Sequence, residues 1–346
     1  MLQRIRHGVC ILPLLLATAL PGPLPAGSSA PLGDFGDNPG ALDAVLYTPD
    51  GAAPGLPLLV ALHGCSMSAE AFDAETGLTA LAEALPALLL LPQQREDNQM
   101  HRCFRWYDEE DNLPGRGESA SIMQMIDHVL AADGADPTEV YVLGLSAGGG
   151  MTAAMIAGHP DRFAGGGIVA GPPYGCNRPR SDLDGFWHWW RWMRVIPALD
   201  GGDAALACGI KVTTPTTDRA PEDWARYVRE AAGDGDHDWP LISIWQGAAD
   251  GTVDPGNLTE LTEQWTAVQG IDPTPASTET IDGAIRKLYL GADGTPRIET
   301  WELPGFDHAM PIDADGDPAP CGEARDFITD AGICAVRAMA RFWGLL

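Results

Sequence analysis

The chain has 346 residues, with 21 Lys and Arg against 48 Asp and Glu, for a formal net charge of −27 at pH 7. That shortage of cations excludes nucleic acid and anionic lipid headgroups as natural partners, since both are recognised through clustered Lys and Arg. Hydrophobic residues make up 45% of the chain, enough to build a core and too many for a disordered polymer. The length accommodates two domains or one large α/β domain.

The first thirty residues stand apart. Arg4 and Arg6 give a basic start, an apolar run follows from Val9 to Leu20 broken only by Pro13, and Pro21 to Ala30 is rich in Pro, Gly, Ser and Ala. Basic, apolar and small residues in that order form a secretory signal peptide. The apolar run falls short of the roughly 20 residues a membrane span needs, and no later segment is long and apolar enough to cross a bilayer. Residues 1–30 therefore read as signal and spacer, 31–346 as one domain, and the mature protein as secreted or periplasmic. Loss of Arg4 and Arg6 deepens its charge by two.

Export changes the meaning of the cysteines. Cys10 is lost with the signal, leaving Cys65, Cys103, Cys176, Cys208, Cys321 and Cys334. An even number in an oxidising compartment points to disulfides, whereas a zinc site would want short Cys-x-x-Cys pairs that this chain lacks. Pairing by proximity along the chain joins Cys65 to Cys103, Cys176 to Cys208 and Cys321 to Cys334.

In chain order, Leu56 to Leu62 reads as a buried strand and Ala87 to Leu91 as a second. Ser119 to Leu130 sets Ile122, Met125, Ile126, Val129 and Leu130 on one helical face, with Glu118-Ser119 at its start and Asp133-Gly134 at its close. Val140 to Leu143 is the next strand, Met151 to Ala157 a helix, and Gly166 to Ala170 extended again. Later strands are Leu241 to Trp245 and Ile298 to Leu303. Continuous apolar strands separated by helices predict a mostly parallel sheet covered on both faces, an α/β fold. Residues 177–238 fit that alternation poorly and read as an insertion.

The strand at Val140 runs directly into Gly144-Leu145-Ser146-Ala147-Gly148, with a helix behind it. Gly-x-Ser-x-Gly in that setting is a nucleophile elbow, a strand-to-helix turn so tight that the flanking positions admit no Cβ. The base and acid are expected in the order Ser, Asp or Glu, His. Of eight histidines, His308 lies in the loop just past the last strand, where an α/β hydrolase keeps its base. Asp250 follows the strand at Leu241 and precedes His308, so it is the expected acid. Asp254 and Asp307 compete, but Asp307 is adjacent to His308, and consecutive side chains rarely face one another. The oxyanion hole should combine the N–H of Ala147 with one from the loop His63-Gly64-Cys65-Ser66, most simply that of Cys65. His63 itself reads as structural. A Cys65–Cys103 bridge would pin this loop.

At these residues the sequence resembles the polyhydroxybutyrate depolymerase family of secreted esterases, related to feruloyl and acetylxylan esterases. The resemblance runs from about Leu46 to Leu346. It is carried by Leu62-His63-Gly64-Cys65-Ser66, Pro92-Gln93-Gln94, Cys103-Phe104-Arg105-Trp106-Tyr107, Arg116-Gly117-Glu118, Gly144-Leu145-Ser146-Ala147-Gly148-Gly149, Ala170-Gly171-Pro172-Pro173-Tyr174-Gly175-Cys176, Ile244-Trp245-Gln246-Gly247 and Asp307-His308-Ala309-Met310-Pro311. It implies an α/β-hydrolase fold, the triad Ser146, Asp250 and His308, and oxyanion donors at Cys65 and Ala147. The chain departs from the family at Gln246, where His is usual, and at Asp307, where Gly precedes the histidine. Polymer depolymerases of this kind also append a linker and a substrate-binding domain, and the chain ends at Leu346 without them, which favours short, soluble or amorphous esters.

Candidate substrate contacts are Trp106 and Tyr174 of the matching stretches, with Trp187 and Trp190 of the Trp-rich run Phe186 to Met193. That run is either a lid packed on the body or an apolar surface for a polyester or aromatic acyl chain. Asp313-Ala314-Asp315-Gly316-Asp317 has the carboxylate density of a calcium loop without its distal Glu, and reads as an acidic turn. No metal and no cofactor is called for. The expected activity is hydrolysis of hydroxyalkanoate oligomers or polyester through an acyl-enzyme. Plant-wall feruloyl or acetyl esters come second, and a noncatalytic polymer- or carbohydrate-binding relative is the reading from another class.

Overall fold

Leu58, Val60 and Leu62 face one apolar layer while Leu59 and Ala61 face another, so this five-residue strand is buried on both sides. That pattern organises the whole molecule. The computed structural model describes residues 27–178, 207–210, 218–316 and 319–346. Among them one ten-stranded sheet runs in the order β1-β2-β4-β3-β5-β6-β7-β10-β9-β8. The strands are β1 (Ser28–Pro31), β2 (Asp43–Thr48), β3 (Leu58–Leu62), β4 (Leu88–Gln93), β5 (Val140–Leu145), β6 (Gly165–Val169), β7 (Leu241–Gly247), β8 (Ser277–Ile281), β9 (Ala284–Leu290) and β10 (Pro296–Leu303). The block β4-β3-β5-β6-β7-β10 is parallel throughout, and β1-β2 and β9-β8 flank it as antiparallel margins. The mostly parallel sheet expected from the continuous apolar runs is the centre of this one.

Helices cover both faces. On one side lie α4 (Gly117–Ala132), α5 (Ala147–Gly158), α6 (Pro221–Ala232) and α7 (Asn257–Gln269). On the other lie α1 (Ala69–Thr76), α2 (Leu78–Ala84) and α8 (Ala335–Phe342), and the short α3 (Glu109–Asn112) precedes α4. The stripe Ile122, Met125, Ile126 and Val129 is fully buried, as its spacing predicts. The start of α4 differs from the sequence reading. Arg116 is the N-cap, and Glu118 lies inside the helix with its N–H donating to Asp111 Oδ1 at 3.2 Å. The sequence pattern had no means of showing that a carboxylate from the preceding helix supplies the capping acceptor. The helical end at Asp133 and the left-handed Gly134 fall where expected.

Two stretches set apart in the sequence join the body. Ser28 to Ala30, at the end of the small-residue spacer, pair with β2. Helix α6 lies within 177–238 and sends Trp224, Tyr227 and Val228 into the core, so β6, α6 and β7 continue the alternation. Residues 1–26 of the stretch expected to be signal and spacer, and the Trp-rich run with Trp187 and Trp190, lie outside the described residues.

Strand β6 opens with Gly165, Gly166 and Gly167, and for the first and third the reason is an approach by α8 and the residue after it. A Cβ on Gly165 would stand 2.5 Å from the Trp343 indole nitrogen, and one on Gly167 2.5 Å from Met339 Sδ. The three cysteine pairs are Cys65–Cys103, Cys176–Cys208 and Cys321–Cys334, the pairing that chain proximity predicts. No helix among the described residues is long and apolar enough to cross a membrane.

Candidate active site

Ser146 sits between β5 and α5 with φ 57° and ψ −116°, a conformation that side chains avoid unless the surroundings impose it. The imposing contacts are on either side. A Cβ on Gly148 would lie 2.0 Å from the Leu62 carbonyl oxygen, and one on Gly144 would lie 2.4 Å from the Gly148 carbonyl. Only glycine fits, so the turn forms with the spacing that the pentapeptide predicts. The Ser146 N–H donates to the Val169 carbonyl at 2.9 Å, tying the elbow to the end of β6. Behind it, α5 is buried along its whole length and points its N-terminal amides at the serine's surroundings.

Asp250 follows β7 and His308 follows β10, so both share with Ser146 the carboxyl edge of the parallel strands. His308 Nδ1 lies 2.8 Å from Asp250 Oδ2. With Nδ1–H donating to the carboxylate, Nε2 is left free to accept a proton. Asp250 is 3% exposed and His308 7%, and every lone pair of the acid has work. Its Oδ1 accepts from the N–H groups of Thr252 and Val253, each at 2.8 Å, and its Oδ2 accepts from Gln246 Nε2 at 2.9 Å. Asp254 does not take this place; its Oδ1 accepts from the Gly256 N–H.

Asp307, the other competitor, has a different task. Its Oδ1 accepts from the Gly251 N–H at 2.9 Å and from the His308 N–H at 2.8 Å, so one carboxylate bridges the acid loop and the base loop. Those two amides, Gly251 first, hold its carboxyl below the usual range. The loops are also joined by Ala248 N–H to Leu303 and Ala249 N–H to Phe306, both at 2.9 Å. Gln246 and Asp307, the two positions where the chain departs from the family pattern, thus touch Asp250 and His308 respectively.

The loop after β3 is built around His63, which is fully buried. Burial, the largest cause, brings its pKa down to about 4, so the ring is neutral at ordinary pH. Its Nε2 accepts from the Gln94 N–H at 3.2 Å, which places the ring proton on Nδ1, donating to the Gly64 carbonyl at 2.7 Å. That carbonyl belongs to the same peptide plane as the Cys65 N–H. Holding the oxygen on one side turns the Cys65 N–H to the other. Met67 N–H reinforces the grip on the Gly64 oxygen at 3.3 Å, and Cys65 is fixed covalently to Cys103. Neither the Cys65 nor the Ala147 N–H has an acceptor among the described residues. His63 is structural, as expected, and the structure adds how.

Behind this loop lies a buried polar cluster that sequence reasoning did not single out. Glu118 Oε2 accepts from the Arg105 N–H at 2.7 Å, and its Oε1 accepts from Gln94 Nε2. Arg105 pairs with Asp108 at 2.8 Å and with Asp111 at 2.9 Å. Burial pushes the Glu118 carboxyl up to about 8. The signal was present, since Gln94, Arg105 and Glu118 all fall in the motif stretches, but their mutual contact is invisible in one dimension.

Of the aromatic candidates, Trp106 packs on Gly150, one helical turn past Ser146; a Cβ there would stand 2.7 Å from the ring. Tyr174 is built into the core at 3% exposure, with its N–H and carbonyl both held by Gln264. Trp187 and Trp190 lie outside the described residues. Among the described residues no group of three or more His, Cys, Asp or Glu gathers as a metal site, and Asp317 of the acidic turn is not among them.

Comparison with known proteins bears on this geometry. A family model described as Esterase PHB depolymerase matches residues 42–185. Poly(3-hydroxyalkanoate) depolymerase C of Paucimonas lemoignei is 36% identical over 313 residues, spanning 90% of this chain and 69% of that protein. Feruloyl esterase B of Talaromyces stipitatus is 29% identical over 302 residues, spanning 87% of this chain and 77% of that protein. The acetylxylan esterase of Coprinopsis cinerea is 30% identical over 304 residues, spanning 85% and 73%. The solved acetyl xylan esterase of Aspergillus awamori has a TM-score of 0.71 at 22% identity, covering 92% of this chain and 100% of that one. Sheet order, elbow and breadth of match lead to one conclusion: the chain belongs to the PHB depolymerase family of esterases, carboxylic ester hydrolases of the α/β-hydrolase fold.

Proposed function

We propose that the chain is an exported serine esterase whose triad is Ser146, His308 and Asp250. Ser146 Oγ attacks the ester carbonyl while His308 Nε2 takes its proton, and Asp250 holds the imidazole in the required tautomer and stabilises the imidazolium. The carbonyl oxygen, now an oxyanion, is received by the N–H groups of Cys65 and Ala147, at the positive end of α5. Collapse expels the alcohol, which leaves with the proton from His308. Water then attacks the acyl-enzyme by the same route reversed. Trp106, beside the first turn of α5, would border the acyl group.

The observation that carries this reading is the His308–Asp250 hydrogen bond of 2.8 Å on the same sheet edge as the strained Ser146. Ser146→Ala is expected to cut hydrolysis of p-nitrophenyl butyrate by at least about a thousandfold. A rate near that of the parent protein would refute the assignment. Labelling by a fluorophosphonate separates the esterase from a noncatalytic binding relative, which would not react.

For substrate, the higher identity to the poly(3-hydroxyalkanoate) depolymerase favours hydroxyalkanoate oligomers or polyester. Feruloyl or acetylxylan-type esters form the second reading, supported by the matches to those esterases. Rates on hydroxybutyrate oligomers, polymer films and methyl ferulate, measured side by side, decide between them. Export rests on the basic, apolar and small-residue order of the first thirty residues, and the three disulfides are consistent with it.

A further inference from the structure

Phe327 is anomalous on two counts. Its backbone is left-handed, with φ 64°, where glycine or asparagine would be unstrained, and its side chain is 45% exposed. The backbone closes a turn of the fold that glycine would close without strain, and the exposed ring adds nothing to the core. The strain is nevertheless firmly imposed. Arg325 and Ile328 exchange both backbone hydrogen bonds, at 2.9 and 3.0 Å, closing a tight turn around it, and the Phe327 carbonyl accepts from the Met310 N–H at 2.8 Å. Met310 and the following Ile328 are fully buried, anchoring β11 (Met310–Ile312) against β12 (Ile328–Asp330). The rigid base thus carries an exposed ring, and the ring meets His308. Their centroids are 6.1 Å apart with planes at 76°, an edge-to-face contact.

We propose that Phe327 is a substrate-contacting residue that forms an apolar wall for the alcohol part of the ester. The inference rests on the reading of His308 as the base. In the acylation step His308 protonates the departing alkoxide, so the alcohol oxygen must come within hydrogen-bond reach of the imidazole. Nδ1 is committed to Asp250 in the interior, which leaves the outward part of the ring for this contact. A group bordering that ring from solvent lies alongside the leaving alcohol. An exposed phenyl there suits an alcohol that begins with an aliphatic chain. In a hydroxyalkanoate chain the leaving alcohol is the next hydroxyacyl unit, an aliphatic carbon bearing an alkyl branch. In a plant-wall ester it is a sugar. Phe327 therefore selects on the side of the scissile bond that distinguishes the two substrate classes, which accounts for an exposed phenyl where the turn would favour glycine.

The test uses the full-length protein and two esters with the same acyl group, methyl butyrate and hexyl butyrate. The quantity read is the ratio of kcat/KM for hexyl over methyl. Phe327→Gly, which relieves the backbone strain and so preserves the fold, is expected to lower that ratio about tenfold, mainly through KM on the hexyl ester. Phe327→Leu is expected to recover most of it. A ratio unchanged in the Gly variant, whether both rates fall alike or neither moves, overturns the proposal. Fluorophosphonate labelling of the parent protein at Ser146 separates the two levels: labelling with an unchanged ratio removes Phe327 and leaves the triad standing, while no labelling removes both.

Discussion

The two sides of the site are built by different means. The proposed oxyanion side, His63 to Ser66, is over-determined: a disulfide, a buried neutral imidazole and a buried polar cluster all brace one peptide plane. The proposed acid–base side, Asp250 and His308, carries no cysteine of its own, and hydrogen bonds hold it, between its two loops, one of them through the exposed carboxylate of Asp307, and to the segment behind Cys208. The contrast follows from the tasks. A backbone N–H has only to point in one direction, and stiffness serves that without cost to function. An imidazole has to take up and surrender a proton within each turnover, so its surroundings must stabilise two charge states. The four donors that converge on Asp250 keep its charge in place beside the ring.

Three substitutions break or sharpen that contrast. Asp250→Asn removes the tautomer lock on the side with fewest restraints, and kcat is expected to fall about 10⁴-fold with KM little changed. A loss of less than tenfold would mean that Gln246 and the loop amides orient His308 without the charge. Next, Cys103→Ser strips the covalent restraint from the other side. Urea denaturation should register a loss of about 3 kcal/mol, and kcat a fall of about tenfold; stability lost at constant kcat would show that His63 suffices to orient the donor. The smallest effect is expected at Glu118. Its carboxyl is raised in the folded protein, to about 8 against an ordinary 4.5, so the folded state binds the proton more tightly than the unfolded chain. Its contribution is therefore full below the unfolded pKa and is lost as pH rises toward 8. Thermal midpoints measured from pH 5 to 8 should decline less steeply in Glu118→Gln than in the parent; equal slopes would assign the decline to other groups.

What the sequence disclosed followed from local physics. The runs at Leu58 and Val140 are apolar on both faces and admit no reading but buried strands, and the stripe from Ile122 to Val129 admits only a helix. Ser146 was legible because the glycines its turn needs stand two residues on either side, although what requires Gly148 is Leu62 of another strand. Asp250 and His308 were legible from chain order, since each follows a strand. The hairpin β8–β9 was missed although Asp282 and Gly283, both with positive φ, make its turn, because Ser277 to Ile281 is exposed and polar and has no apolar rhythm. Helix α6 was missed although Trp224, Tyr227 and Val228 stand at helical spacing between Pro221 at its start and Gly233 at its end, because residues 177–238 read as one insertion, undivided into elements. The positioning roles of His63, Glu118, Gln246 and Asp307 depend on hydrogen bonds aimed at particular atoms, and several of those reach across distant parts of the chain. No pattern of residue types encodes such aim.

The glycines of β6 have a consequence for when the molecule can form. Their bare face, in the middle of the sheet and the middle of the chain, is shaped for Met339 and Trp343, which arrive with the last described helix. Until then the centre of the sheet has a trough on one side that no earlier residue among the described ones fills. Most of the chain must therefore be synthesised before the central strands can be sealed, and a half-made chain is held short of its stable state. On the export proposed above the chain threads a membrane unfolded, and there that delay is an asset: the helix that completes the fold also sets the clock on it.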